Sequence, residues 1–217
     1  MKSIRAIVTF MALIIIMAAC QKDEGSTSKD YSSLFKNTVW TGEYNINGKT
    51  IQPVSIFFNE NGSFTWLSLT QNPDGLWELY QDILTLNLSK GGFKAKITND
   101  NKLSNIEIIG TNGWELNNLE LNTIPDDVLD NTTWITENLI IEFLKSTDIQ
   151  PTSPDSVKVR VGGLQYPAIH YSKQYKTIRI NYSNYRFFLV RESSNLFKGA
   201  NSIGGDNSIY PFEVTKQ

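Results

Sequence analysis

Two stretches of this chain repeat each other in register. Leu34-Phe35-Lys36-Asn37-Thr38-Val39-Trp40 and Val128-Leu129-Asp130-Asn131-Thr132-Thr133-Trp134 align without a gap at an offset of 94 residues. Each is an apolar turn followed by Asn-Thr, one further residue, and a Trp that enters an extended run. At an offset of 92, Ile83-Leu84-Thr85-Leu86-Asn87-Leu88 lies over Tyr175-Lys176-Thr177-Ile178-Arg179-Ile180, keeping a Thr and the alternating apolar face. Such recurrence restricts the chain to architectures built from two similar units. The split falls near 122–125, giving one β domain over 30–123 and a second over 124–217.

Between these anchors run short β-branched and aromatic segments separated by turn residues. Segments 54–58 and 64–69 flank Asn59-Glu60-Asn61-Gly62, and Asn-Gly tolerates the positive φ of a tight hairpin. Segments 76–79 with 83–88, 93–98 with 103–109, and then 114–121 complete the first unit. In the second, 177–182 and 186–191 join through Ser183-Asn184, and 209–214 is the last strand. Residues 146–156, with Pro151 and Pro154, read as a loop, because proline cannot donate to a sheet ladder. Residues 193–208, rich in Gly, Ser and Asn, read as the least regular part of the chain. Only the apolar turns before Trp40 and Trp134 look helical. The expected fold is all-β: two tandem small antiparallel meander barrels from an internal duplication. Edge-to-edge pairing of the repeats into one larger sandwich or barrel fits the same pattern.

A different kind of sequence precedes the first unit. Residues 1–19 carry Lys2 and Arg5 and then a 14-residue, almost wholly apolar run over 6–19, the pattern of a secretory signal. That run is shorter than the roughly 20 residues a membrane-spanning helix needs. Small Ala18 and Ala19 lead into Cys20, the only cysteine in the chain. Residues 20–29 are polar, without apolar periodicity, and read as a flexible tether. Loss of Lys2 and Arg5 with the leader moves the formal charge from −2 to −4. This mildly acidic balance gives no basic footprint for nucleic acid.

The leader with Cys20 resembles a bacterial lipoprotein signal, with Met17 where such signals usually carry Leu. Gln21-Lys22-Asp23-Glu24 is similar to the export tag of Bacteroidota surface lipoproteins. Val54-Ser55-Ile56-Phe57-Phe58-Asn59-Glu60-Asn61-Gly62-Ser63-Phe64-Thr65, Gly75-Leu76-Trp77-Glu78-Leu79 and Ile83-Leu84-Thr85-Leu86 resemble the lipocalin-like domains of such lipoproteins. The resemblance covers 34–121 well and the second half weakly, where Ile169 replaces Trp77. It implies acylation of Cys20, anchoring in the outer membrane with exposure at the cell surface, and small meander barrels. It carries no catalytic residues. With Cys20 acylated, no thiol remains for disulfides, catalysis or metal binding.

The residues that could carry chemistry are few. His170 is the only histidine and sits in an expected strand. There is no Gly-x-Ser-x-Gly turn, phosphate loop or dinucleotide fingerprint. Asp126 and Asp127 follow Pro125 where acidic residues favour a helix start. Glu78, Glu107, Glu115 and Glu142 alternate within strands. Asn99-Asp100-Asn101 and Asp206-Asn207 are oxygen-rich but lack the spacing of a calcium loop. No enzyme, cofactor or metal is expected. Trp40 and Trp134 recur with the repeat and are expected to close the base of each unit. Trp66, Trp77 and Trp114, with Tyr182 and Tyr185 beside Phe187 and Phe188, are the candidate ligand-binding residues, able to stack on sugar rings or line an apolar cavity. The chain thus reads as a non-catalytic surface lipoprotein binding a glycan or a small apolar ligand. The competing reading is an accessory subunit docked on an outer-membrane protein through a strand edge or apolar patch.

Overall fold

The computed structural model describes residues 30–98, 101–110, 113–126, 129–145, 155–204 and 208–217. The leader, Cys20, the tether, Asn99, Asp100, Asp127, Pro151, Pro154, Asp206 and Asn207 lie outside the described residues. Tyr31–Gln217 forms one compact unit containing two barrels.

The first barrel comprises β1 (Thr38–Ile46), β2 (Gln52–Phe58), β3 (Ser63–Leu67), β4 (Asp74–Tyr80), β5 (Ile83–Leu88), β6 (Gly91–Ile97), β7 (Leu103–Ile109) and β8 (Trp114–Leu121). Each strand pairs antiparallel with its neighbour in sequence from β1 to β7, and β8 returns to β1. The ring is almost shut. Between β7 and β8 a bridge joins Lys102 and Glu120, whose side chains form an ion pair at 2.7 Å. The second barrel comprises β9 (Thr132–Ile135), β10 (Leu139–Leu144), β11 (Ser156–Val161), β12 (Leu164–Gln165), β13 (Ile169–Gln174), β14 (Thr177–Tyr182), β15 (Tyr185–Ser193), β16 (Leu196–Ile203) and β17 (Ile209–Lys216). Here the ring closes, because β9 pairs with both β10 and β17, and the two-residue β12 is a flap on β11. The all-β, two-barrel expectation therefore holds, and each repeat curls on itself instead of joining a common sheet.

The repeated motif explains how each barrel begins. Asn37 and Asn131 both take the left-handed conformation, at φ 57° and 58°, and turn the chain into β1 and β9. Asn tolerates this region better than most residues because its side chain bonds locally. The Thr that follows bonds back to the turn: Thr38 Oγ1 donates to Leu34 O at 2.7 Å, and Thr132 Oγ1 to Leu129 O at 2.5 Å. That hydroxyl also accepts the indole of the buried Trp, from Trp40 Nε1 at 3.3 Å and Trp134 Nε1 at 3.0 Å. Phe35 stacks on Trp40 at 4.8 Å, and Phe197 packs edge-on to Trp134 at 4.4 Å. Both Trp residues are fully buried, so the expectation that they close the barrels holds. Of the two short helical turns, Ser32–Leu34 is a single 3-10 turn, and residue 128 of the other lies outside the described residues.

Two expectations are corrected. The pair Trp77–Leu86 between β4 and β5 corresponds to Tyr171–Ile180 between β13 and β14, an offset of 94 throughout. Trp77 is thus replaced by buried Tyr171, not by Ile169, and the 92-residue alignment slipped by two. A two-residue slip preserves which face points inward, so the alternation could not reveal it. Residues 193–208 are not mainly loop, since they hold β16. Its small residues mark close approach: a Cβ on Gly199 would run into the Phe212 ring.

Aromatic bulk fills the first barrel, with Phe35, Trp40, Tyr44, Phe58, Phe64, Trp66 and Phe93 in its core. The second is filled more by Ile, Val, Leu and Phe around Trp134. Truncating Trp40 or Trp134 to Ala removes a bulky core side chain, a loss of about 3–5 kcal/mol in each case. Denaturant unfolding of the two variants measures it, and an exposed control such as Lys49→Ala is expected to change little.

Candidate functional site

The five aromatic candidates do not converge. Trp66 on β3 is fully buried among Tyr44, Phe93 and Trp114, at ring distances of 5.3, 5.8 and 5.7 Å. Among the described residues its Nε1 has no hydrogen-bond partner, a cost borne within the core. Trp77 is half-buried and donates to Asn59 O at 3.0 Å, sealing the barrel beside Phe35 and Phe58. Trp114 stands at the opposite end, on the rim of a recess of about 710 Å³ with Gln71, Pro73, Leu88 and Lys90. Tyr182 and Tyr185 do meet, through a residue that sequence reading missed. Tyr166, on the connection from β12 to β13, packs at 5.1 Å from Tyr182 and 5.5 Å from Tyr185. All three rings are half-exposed at the mouth of the second barrel, with Phe187 beneath Tyr185.

The most elaborate surface is the junction between the barrels. Leu67 points outward from β3 onto Phe188 and Val190, which point outward from β15, with Leu69 and Tyr175 at the margin. The Phe57 and Tyr175 rings stack at 4.0 Å and 6°. Ser55 Oγ donates to Tyr175 O at 2.6 Å. Tyr175 and Lys176 both have positive φ, as a two-residue hairpin of this twist requires, although neither is a residue that favours it. The stack, the Ser55 bond and the Lys176–Asp126 ion pair at 2.9 Å hold that turn in place.

Two clefts flank this apolar seam, and they carry opposite charge. On one side, a cleft of about 360 Å³ is lined by Glu43, Asn118, Glu120, Asn122, Glu192 and Lys198. Lys198 Nζ donates to Glu43 Oε1 at 2.8 Å across the junction, and Asn122 Nδ2 donates to Arg191 O at 2.7 Å. Burial raises the Glu192 carboxyl above its usual range; Lys198 opposes the shift, and Glu43, Glu120 and Glu213 add to it. The bond to Glu43 raises Lys198. On the other side, a cleft of about 520 Å³ is lined by Leu69, Thr70, Asn72, Arg179, Asn181 and Arg186, floored by Phe187 and Phe188. Among the described residues no carboxylate lines it. Arg179 Nη2 donates to Ser68 O at 2.7 Å and to Asn72 Oδ1, and its guanidinium lies 5.2 Å over the Phe188 ring.

Of these residues, sequence reading named only aromatics as binding candidates. In Thr177-Ile178-Arg179-Ile180 an outward charge reads as solvent-facing, and only the second barrel's docking partner reveals otherwise. His170 is exposed on β13, and among the described residues no group of His, Cys, Asp and Glu is gathered closely enough to hold a metal. No helix among the described residues is long and apolar enough to cross a membrane. Comparison with protein-family models, curated proteins and solved structures finds no match to this chain.

The raised Glu192 carboxyl makes folding proton-linked. The folded protein keeps a proton that the unfolded chain loses near pH 4.3. The stability this contributes is full below that value and is lost as pH rises through the higher folded value. The melting temperature is therefore expected to fall over that window more in the wild type than in Glu192→Gln, as thermal unfolding across a pH series would measure.

Proposed function

We propose that this protein is a non-catalytic, lipid-anchored surface protein of the outer membrane that binds a glycan at the tyrosine rim of the second barrel. The observation that carries the binding site is the cluster of Tyr166, Tyr182 and Tyr185, three half-exposed rings from two separate connections meeting within 5.1 to 5.5 Å. Tyrosine offers a rigid amphipathic face at low entropic cost, the property that suits it to recognition surfaces. The filled interiors argue for binding from outside and against a small apolar ligand held within a barrel. Anchoring rests on the lipoprotein-type leader and Cys20, and the absence of a catalytic motif in the sequence supports a binding role.

A second reading has its own observation. Ile108 and Ile109 on β7 are 43% and 38% exposed beside the weakly joined β7–β8 seam, which favours docking of a protein partner by strand pairing.

Two measurements test the first reading. Cys20→Ser is expected to release the protein from the membrane fraction and abolish labelling with a radioactive fatty acid; unchanged partitioning overturns the anchor. Titration calorimetry of the wild type against an oligosaccharide panel is expected to find saturable binding. Tyr182→Ala or Tyr185→Ala should weaken it about tenfold, or about 1.4 kcal/mol. Heat-flat titrations with every member of the panel overturn the glycan reading and favour the partner.

A further inference from the structure

We propose that the cleft containing Arg179 and Arg186 is a second binding site, distinct from the tyrosine rim, that takes a small ligand through a carboxylate, sulfate or phosphate group. The register of β14 and β15 puts the two arginines together. Arg179 lies opposite Phe188, and Asn181 opposite Arg186, so the arginines are diagonal neighbours on the same outer face. Diagonal residues on a sheet are within reach of long side chains. Two cations so placed repel unless an anion lies between them.

Among the described residues no such anion is found. The chain's carboxylates outnumber its cations, 22 to 20, yet no described carboxylate lines this cleft. Among the described residues neither arginine side chain has a carboxylate partner. Arg179 is the more telling of the two, because it is half-buried, and burial lowers its pKa with only the Tyr44 phenol opposing. A partly desolvated guanidinium without a counter-charge is costly, and an incoming anion repays that cost. Nη2 spends both hydrogens on Ser68 O and Asn72 Oδ1, leaving Nε and Nη1. Each can give an anion one charge-assisted hydrogen bond, and the exposed Arg186 adds a guanidinium fork that matches a carboxylate or sulfate edge with two parallel bonds.

The opposite wall is built to hold still. Tyr44 Oη shares hydrogen bonds with Ser68 Oγ at 2.7 Å and Thr70 Oγ1 at 2.8 Å. Ser68 Oγ donates to Gln71 O at 2.6 Å, and Ser68 N donates to Asn72 Oδ1 at 3.2 Å. The 68–72 loop is thus pinned from inside the first barrel and, through Ser68 O, orients Arg179 of the second. Asn72 keeps its amide hydrogens for a ligand, and Thr70, Asn181 and Ser183 add donors and acceptors. A volume of about 520 Å³ is in the range of small-molecule sites, and the apolar floor of Phe187 and Phe188 suits a ring-sized body behind the anionic group.

The test is calorimetric titration of the full-length protein in a non-ionic detergent. The probes are glucuronate, glucose 6-sulfate and inorganic phosphate, with neutral glucose as the control. The expected result is saturable, salt-weakened binding of at least one anion and none of glucose at the same concentration. Arg186 is exposed, so Arg186→Gln should leave the melting temperature unchanged and weaken anion binding at least tenfold. Asn72→Asp, which adds a negative charge beside Arg179, should abolish it, while Tyr182→Ala should leave it intact. Tight binding of the sugar acids identifies a saccharide source, and binding of phosphate alone identifies a free anion. The proposal is overturned if no anion binds, if glucose binds equally well, or if folded Arg186→Gln binds as the wild type does. Loss in Tyr182→Ala as well would merge this site with the rim and overturn its independence.

Discussion

The hydrogen-bonded plug of Thr and Trp at the base of each barrel is the interaction on which the rest depends. A small meander barrel must decide where its first strand starts, because every later register follows from that choice. Here the left-handed Asn fixes the entry angle, the Thr hydroxyl ties the strand to the preceding turn, and the same hydroxyl satisfies the indole that fills the barrel floor. The indole N–H is thereby buried without penalty, which a Phe-sized or unpaired group would not achieve with the same geometry. In the second barrel the Arg191 guanidinium adds a cation 5.8 Å over the Trp134 ring and donates to Ser193 O and Ser194 O, tying the end of β15 to the same floor. Ile97 holds the corresponding place in the first barrel, and there the stacked Phe35 thickens the floor instead.

With the bases fixed, what remains is how two closed units hold each other. Both barrels bury residues on their outer faces for this. Strand β3 carries Trp66 inward and Leu67 outward, and β15 carries Phe187 inward and Phe188 and Val190 outward, so each has an apolar stretch on its outer side as well. The apolar strip between them is narrow, and polar bonds on either flank set the orientation. The clefts beside the strip exist because two convex barrels can touch only along a line. Their opposite charges follow from which side of β15 each faces: Glu192 and neighbouring Lys198 on one flank, Arg179 and Arg186 on the other.

Much of the fold was legible in the sequence, because hairpin chemistry and alternation are local. Asn61-Gly62 turns where expected, with Gly62 at φ 85°. Strand β16 was hidden because its small residues, chosen to admit the Phe212 ring, look like loop composition. The functional surfaces were less legible, for a specific reason. Apolar residues on both sides of 64–69 and 185–188 were visible, and they suggested exposed stacking platforms. The second apolar side instead covers the junction. Hydrophobic pattern tells how many faces of a strand are covered but not by what, so Trp66, a candidate ligand contact by its pattern, fills a core, and Phe188, beside the candidates Tyr182 and Tyr185, covers an interface. Arg179 was missed by the converse logic, since an outward charge in an alternating strand gives no sign that another barrel leans over it.

The duplication also poses a problem that the junction solves. The contact is head-to-tail: the first barrel offers β2 and β3, the second offers β14, β15 and β16, and these are not equivalent faces. A heterologous contact between like units can propagate without end. The free faces differ from the faces that meet. On the first barrel, the positions matching Arg179, Phe188 and Val190 are Thr85, Lys94 and Lys96, by the pairings Thr85↔Lys94 and Ile83↔Lys96 against Arg179↔Phe188 and Thr177↔Val190. On the second barrel, the position matching Leu67 is Arg160, by Ile140↔Arg160 against Ser55↔Leu67. An apolar residue at each buried position of the junction is a long cation at the corresponding exposed position. Stacking a further copy would have to desolvate Lys94, Arg160 and the exposed Lys96–Asp82 ion pair, 3.2 Å apart. The same outer faces that are apolar where the barrels meet carry charge where they face solvent, and the cost of desolvating that charge opposes a further copy as packing favours the first.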